Sequence, residues 1–275
     1  MTTTTMLDLS EVTLCCVDTR TPALALAALR RCTASVHFAR VLLFTDRALL
    51  PTPPLGIEVI DLRIPTVPAY SEFMLRGLLP YVHTSHLLVV QWDGYVLDPG
   101  AWDPAFLRYD YIGAPWHDIE GDAGVGNGGF SLRSLKLLRA LQDPALQPSH
   151  PEDLCICARH REALEHQHGI RFAPRALAAH FAYERTEPTV PTFGFHGLFN
   201  FDRVMPMAEL KALLATLPDE MMRGLDAHDL CRRLLTLGEL EAAGLIVDAR
   251  RRLGLNDRRT WRLRVRLAWA RRQRR

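Results

Sequence analysis

A few short stretches of the 275-residue sequence carry side chains that could do chemistry. The first is Gln91-Trp92-Asp93-Gly94, which follows the apolar run Leu87 to Val90. That run reads as a strand buried on both faces, so Asp93 sits at a strand's carboxyl end, where open α/β sheets leave a crevice for ligands. A carboxylate there, beside a glycine that lets a ligand reach the backbone, suits a divalent cation carrying a phosphorylated ligand. The same Asp-Gly pair is also an ordinary turn after a strand. The second stretch is Asn127-Gly128-Gly129, where glycines next to a strand-like Phe-Ser-Leu indicate backbone closely approached by a ligand or another segment. The third is Glu152-Asp153 behind Pro151, two acids that read either as functional carboxylates or as the favoured first turn of a helix. The fourth is the single imidazole of His196 in the aromatic and glycine-rich segment 192 to 201, which packing or capping would also explain.

The elements that must position these groups alternate. Val12 to Val17 reads as a first strand, and Thr21 with Pro22 opens a helix that runs to about Thr33. Strands over Val41 to Phe44 and Ile57 to Ile60 follow, separated by a loop marked by Pro51, Pro53 and Pro54. The spacing of Phe73, Leu75, Leu78 and Leu79 predicts a helix over Tyr70 to Tyr81 before the strand that ends at Gln91. Tyr109 to Trp116 adds a short strand, Ser134 to about Leu141 a helix, His150 to about His168 another, and Ile170 to Phe172 a short strand. This β-α-β-β-α-β order predicts an α/β fold, a mostly parallel sheet flanked by helices. From Met207 onward the pattern is helical, over Ala208 to Leu217, Met221 to Leu237 and Glu239 to Leu253.

Hydrophobic content of 48% and charged content of 23% are those of an ordinary globular protein. No apolar stretch approaches the ~20 residues that span a bilayer, and the first residues lack a signal peptide's basic start and apolar core, so a cytoplasmic location is expected. The six cysteines read as small buried hydrophobes, because Cys155-x-Cys157 has no second pair to complete a zinc site. The net charge of +2 hides an asymmetry. Residues 250 to 275 hold 12 arginines and one acid, whereas the first 249 hold 21 basic and 30 acidic residues. An acidic body argues against a nucleic-acid partner. The basic end, with Trp261, Val265 and Trp269 spaced by four among arginines, predicts either a peripheral contact with an anionic membrane face or a solvated terminal helix packing one face on the body. A Rossmann dehydrogenase and a P-loop kinase are disfavoured, since neither G-x-G-x-x-G after the first strand nor G-x-x-x-x-G-K-[ST] is present.

Five blocks in order, Val-Gln-Trp-Asp-Gly-Tyr-Val, Tyr-Asp-Tyr-Ile-Gly-Ala-Pro-Trp, Gly-Asn-Gly-Gly-Phe-Ser-Leu-Arg-Ser, Pro-Glu-Asp-Leu-Cys-Ile-Cys and Phe-Gly-Phe-His-Gly, resemble a bacterial and fungal family of GT-A-type glycosyltransferase-like proteins classed as a domain of unknown function. The resemblance covers about residues 10 to 203 and implies a GT-A-like domain there, with residues 204 to 275 as a helical appendage ending in the basic tail. It implies sugar transfer from a nucleotide-sugar donor to a glycan or other hydroxyl acceptor, a hexosyltransferase-like activity assisted by Mn2+ or Mg2+. Gln91-Trp92-Asp93 resembles the Asp-x-Asp motif of such enzymes, with Asp93 as metal ligand and Gln91 in place of the first acid, and His196 resembles a second metal ligand near the domain's end. Asn127, Gly128 and Gly129, with Trp116 as a stacking surface, would line the sugar side, and Glu152-Asp153 would supply the base, Asp153 preferred. By position, Asp18, Thr19 and Asp46 would meet the nucleoside and Arg76 the diphosphate. The exchange of the first acid for Gln91 leaves a non-catalytic nucleotide- or glycan-binding module of the same fold as the alternative, and the basic tail leaves a membrane or assembly scaffold.

Overall fold

The computed structural model describes residues 6–50, 52 and 54–273. The expected loop prolines Pro51 and Pro53, residues 1–5 and the final two arginines of the basic tail lie outside the described residues. The chain forms two compact units, Met1–His196 and Gly197–Arg275.

The first unit is built on a six-stranded mixed sheet in the order β3-β2-β1-β4-β6-β5. Strands β1 (Leu7–Val17), β2 (Val36–Thr45), β3 (Glu58–Asp61) and β4 (His86–Val90) are parallel. β6 (Phe130–Ser134) runs antiparallel to β4, and β5 (Tyr111–Gly113) antiparallel to β6. β1 and β2 begin several residues before the apolar runs that announce them, because one polar and one apolar face suffice where the sheet is half covered. β4 is buried along its whole length, and each of its aliphatic side chains contributes about 1.5–3 kcal/mol by leaving water. Beneath it Cys15, Leu42, Phe44, Leu87 and Val89 pack with Met74, Leu78 and Val82 into one cluster.

Helix α1 (Pro22–Thr33) makes the crossover from β1 to β2 and buries Ala25, Leu26, Leu29 and Cys32. The helix expected over residues 70 to 81 is broken up. α2 (Val67–Glu72) starts earlier, where Thr66 Oγ1 caps Ala69 N, and gives way to a wide π turn over Phe73–Gly77 and a 3-10 turn over Leu79–Tyr81 that contains Pro80. The helix expected from 150 is split in the same way: α4 (Glu152–Leu154) runs into a π turn over Cys155–Arg159, and α5 (Arg161–His168) ends at Gly169 with φ of +60°. α3 (Leu135–Ala140) follows β6 as expected, and the segment near Ile170 makes only a bridge from Phe172 to Tyr111. α6 (Arg175–Phe181) leads to a feature not read from the sequence, the two-residue parallel pair β7 (Ala182–Tyr183) and β8 (Gly194–Phe195).

The second unit is helical: α7 (Phe201–Val204), α8 (Met207–Thr216), α9 (Leu225–Leu237), α10 (Leu240–Arg252) and α11 (Arg258–Gln273). α9 begins later than its apolar pattern, after a 3-10 turn over Asp219–Met222. Arg250 is buried at the centre, where Nη1 donates to the Met222 carbonyl at 2.7 Å and Nε to Thr260 Oγ1 at 3.0 Å. Among the described residues no helix is long and apolar enough to cross a membrane. All six cysteines are free and buried, and burial pushes the Cys15 thiol up to about 12.

His86 anchors the far end of β4. Its Nε2 lies 3.2 Å from the Tyr109 carbonyl, and burial lowers its pKa in spite of that bond. A histidine whose folded pKa is depressed contributes stability above its unfolded pKa, about 6.5, and loses it as pH falls through and below that value. The stability difference between wild type and His86→Gln in urea titrations should therefore shrink from pH 7.5 to pH 5.5. A constant difference would contradict the buried, neutral imidazole.

Candidate functional site

The register of β4 and β6 assembles the site. Because β6 is antiparallel, its first residues, not its last, lie at the carboxyl edge of β4, with Val90 opposite Phe130. Gln91 N continues the ladder by donating to the Gly129 carbonyl at 2.8 Å. Asp93 and the Asn127-Gly128-Gly129 segment are thereby placed side by side. Asn127 reaches this position with φ of 64°, a left-handed conformation that asparagine tolerates better than most residues. Its carbonyl accepts from the buried Tyr111 hydroxyl at 3.0 Å.

The short pair β7 and β8 supplies the rest. Tyr183 pairs with Phe195, so the next residues on each strand, Glu184 and His196, emerge together. β8 also meets the segment after Asp93, through the Val96 to Gly194 bridge and the Leu97 N to Phe193 carbonyl bond of 2.8 Å. His196 becomes the hub. Its Nε2 lies 3.1 Å from Gln91 Oε1 and 3.4 Å from Asp93 Oδ1, and its Nδ1 lies 3.2 Å from Glu184 Oε1 and 3.1 Å from Asn127 Nδ2. Gln91 Nε2 donates to Tyr70 Oη at 3.0 Å, which turns its amide oxygen toward the imidazole. Burial opposes charging His196, but the Asp93 carboxylate and then Glu184 outweigh it and hold the imidazole pKa well above the usual histidine range.

The glycines are closely approached, as their spacing predicts. A Cβ on Gly129 would stand 2.1 Å from His196 Nε2, one on Gly128 2.4 Å from Glu152 Oε1, and one on Gly94 2.8 Å from the Phe195 carbonyl. Of the two kinds of neighbour expected there, another segment of the chain is the one these contacts show.

On the other side of Gly128 lie the paired acids. Asp153 is half-buried, and its Oδ2 accepts from Gly128 N at 3.3 Å while Oδ1 accepts from Leu154 N at 2.8 Å. Glu152 points inward, 3.6 Å from the guanidinium of the fully buried Arg133. Arg133 also donates from Nε to Ser131 Oγ at 3.1 Å and packs its guanidinium over the Tyr111 ring. Burial, and then the nearby Glu152 carboxylate, keep the Tyr70 phenol protonated. Arg133, Glu184 and Tyr70 were not singled out from sequence. Arg133 stands in the Phe-Ser-Leu-Arg-Ser block, where an arginine in the strand-like segment just after the glycines was the available signal; Glu184 and Tyr70 gave none.

The remaining expected ligands are engaged elsewhere in the chain. Asp18 spends both oxygens on its own turn, accepting from Arg20 N, Thr21 N and Thr21 Oγ1 at 2.7 to 2.8 Å. Thr19 Oγ1 lies 3.5 Å from the Ile64 carbonyl. Asp46 caps a 3-10 turn through Ala48 N and pairs with Arg63 at 3.0 Å. Arg76 donates to the carbonyls of Asp143 and Leu146, which ties down the loop after α3. Trp116 is half-buried against the cluster around Tyr111 and Leu137, with its ring in the space a Gly126 side chain would need.

Residues 58–196, which hold Gln91, Asp93, the glycine pair, both acids, Glu184 and His196, match the family described as Protein of unknown function (DUF5672). The chain belongs to the DUF5672 family. None of the curated proteins compared matches it. Among solved structures, a galactosyltransferase LgtC in complex with donor and acceptor sugar analogues is 14% identical with a TM-score of 0.38, over 67% of this chain and 86% of that one. HddC from Yersinia pseudotuberculosis is 15% identical with a TM-score of 0.31, over 49% of this chain and 80% of that one. The mannosyltransferase PcManGT from Pyrobaculum calidifontis, in complex with GDP-Man and Mn2+, is 12% identical with a TM-score of 0.37, over 93% of this chain and 78% of that one. At such scores the function of this DUF5672 protein must be argued from its own residues.

Removing one partner of a fully buried ion pair leaves an uncompensated charge, at a cost of about 3–5 kcal/mol. Arg133→Met should lose stability of that order in denaturant unfolding, and Arg133→Met with Glu152→Gln should recover part of it. A loss below about 1 kcal/mol would show that the pair does not hold the edge together.

Proposed function

We propose that this protein transfers a sugar from a nucleotide-sugar donor to an acceptor hydroxyl at the carboxyl edge of β4, in a GT-A-like active site with divalent-metal assistance. The observation that carries the reading is the convergence of Asp93 Oδ1 and Gln91 Oε1 on His196 Nε2, at 3.4 and 3.1 Å. A hard cation with bonds of about 2.0–2.1 Å sets neighbouring octahedral ligands roughly 3 Å apart, so this donor set fits one ion. Among the described residues no group of three or more His, Cys, Asp or Glu is arranged to hold a metal. A site here would be made of one carboxylate, one imidazole and one amide oxygen, with the donor's phosphate oxygens completing the shell. A bound Mn2+ or Mg2+ neutralises the charge that develops on the departing nucleoside diphosphate.

The protein's own residues do the remainder. Glu184 faces His196 Nδ1 from the side opposite Asp93, the place from which a carboxylate fixes the tautomer and orientation of a ligating imidazole. Tyr70 fixes Gln91. Of the two acids, Glu152 is committed to Arg133, whereas Asp153 stays half-exposed and is oriented by Gly128 N, so Asp153 is the group placed to take the acceptor's proton. Gly128 and Gly129 carry this arrangement from the base to the metal side.

Asp93→Ala should abolish donor turnover in manganese while the circular dichroism spectrum is kept; wild-type turnover in that variant would remove Asp93 from the reaction. Asp153→Asn should bind the donor as wild type does and transfer ~10²-fold or more slowly, the scale of a lost general base. Undiminished transfer would move the base elsewhere, and absence of any donor hydrolysis or transfer by the wild type across a panel of nucleotide sugars would leave a binding module.

A further inference from the structure

We infer that α11 is an interfacial helix that binds the second unit to an anionic lipid surface. The inference is independent of sugar transfer and rests on how α11 divides its faces. Thr260, Leu263 and Leu267 are buried in the second unit, which fixes the helix's inner side. Trp261, Val265 and Trp269 recur every four residues and, at about 100° per residue, project from the side opposite the buried one. They are 60%, 46% and 63% exposed, and the other three tryptophans of the chain are not among its exposed large side chains. Leaving two indoles in water on the stripe opposite the buried one marks a surface made for a partner.

The charges around the stripe name that partner. α11 carries seven arginines and no acidic residue. By helical position Arg264 lies to one side of the tryptophan stripe and Arg262 to the other, so cations border the apolar ridge on both sides, while Arg266 and Arg271 reach back to Thr236 and to Gly244. A protein groove that received the tryptophans would have to match a cationic border on both sides. An anionic bilayer does so without shape complementarity: indole rings partition to the headgroup boundary, and the guanidinium groups lie at the level of the lipid phosphates. The first 249 residues, with 21 basic against 30 acidic residues, are repelled by such a surface, whereas residues 250 to 275 hold 12 arginines, of which Arg250 is buried, and one acid, so the contact falls to α11. The attraction of each cation to an anionic leaflet falls off within a Debye length, so binding should weaken steeply with salt.

The test is sedimentation of the full chain with vesicles of phosphatidylcholine alone and of phosphatidylcholine with about one-third phosphatidylserine, at low and physiological salt. The expected result is binding to the anionic vesicles only, weakened by salt, with a blue shift of tryptophan emission. Trp261→Ser with Trp269→Ser, both exposed and so compatible with an unchanged fold, should lower the partition coefficient at least tenfold and remove the blue shift. Arg262→Gln with Arg264→Gln should flatten the salt dependence. No binding to anionic vesicles, or equal binding by wild type and the double tryptophan variant, would overturn the inference. So would a wild-type dimer in sedimentation equilibrium that the tryptophan variant loses without any vesicle binding, which would make a second copy the occupant.

Discussion

His196 sits where a side chain on Gly129 would have to be, and the candidate site is built outward from that contact. The imidazole is brought there by β8, held from one side by Glu184 and faced from the other by Asp93 and Gln91. Gly129 in turn is fixed to β4 through Gln91 N, so the residue whose side-chain amide faces the imidazole also pins the glycine on which the histidine rests. A methyl group at position 129 would push the ring from its three acceptors. The same logic repeats one residue earlier, where Glu152 fills the space above Gly128 and balances the buried Arg133. Two glycines without side chains thus let one histidine and one glutamate close on the backbone from opposite sides.

This explains which parts of the site were legible in the sequence. β4 and Asp93 were, because a fully buried strand leaves a run of aliphatic residues that stops abruptly where the chain meets solvent. The glycine pair signalled close approach, and His196 and Glu152 make it. Glu184 and Tyr70 were invisible, since their roles come from pairings distant in sequence: Glu184 meets His196 only because two-residue strands pair, and Tyr70 meets Gln91 across the sheet's helical layer. The same holds for Arg76 and Trp116. Sequence position gave no sign of their contacts within the chain: the Arg76 guanidinium, on a π turn, donates to carbonyls of the neighbouring loop, and the Trp116 indole packs over Gly126. The helices around residues 70 to 81 and 150 to 168 show how far periodicity carries: their apolar spacing was right for burial, while Pro80, Gly77 and the packing of Cys155 to Cys157 turned single helices into helix, π turn and short continuation.

The two units place charge differently, and the difference has a physical sense. In the first, acids gather at the strand edge, around His196 and the buried Arg133. In the second, arginine is used both inside, as Arg250 tying the carbonyls of Met222 to Gly224, and outside, along the tryptophan stripe of α11. An arginine-rich helix with one face buried is held rigid by its own unit and needs no partner to fold, so its apolar outer face is presented ready-made.

The central claim is that the Gln91, Asp93 and His196 cluster holds a metal-bound nucleotide. Thermal unfolding of the wild type and of Asp93→Asn, with a panel of nucleoside diphosphates in the presence and absence of Mn2+, addresses it most directly. A ligand at 100 times its dissociation constant adds about 2.7 kcal/mol, a rise of a few degrees in Tm for a chain of this size. The expected result is such a rise for at least one nucleoside diphosphate in the wild type, dependent on Mn2+ and lost in Asp93→Asn. A rise that is the same without Mn2+, or that survives in Asp93→Asn, or no rise with any nucleotide, would contradict it.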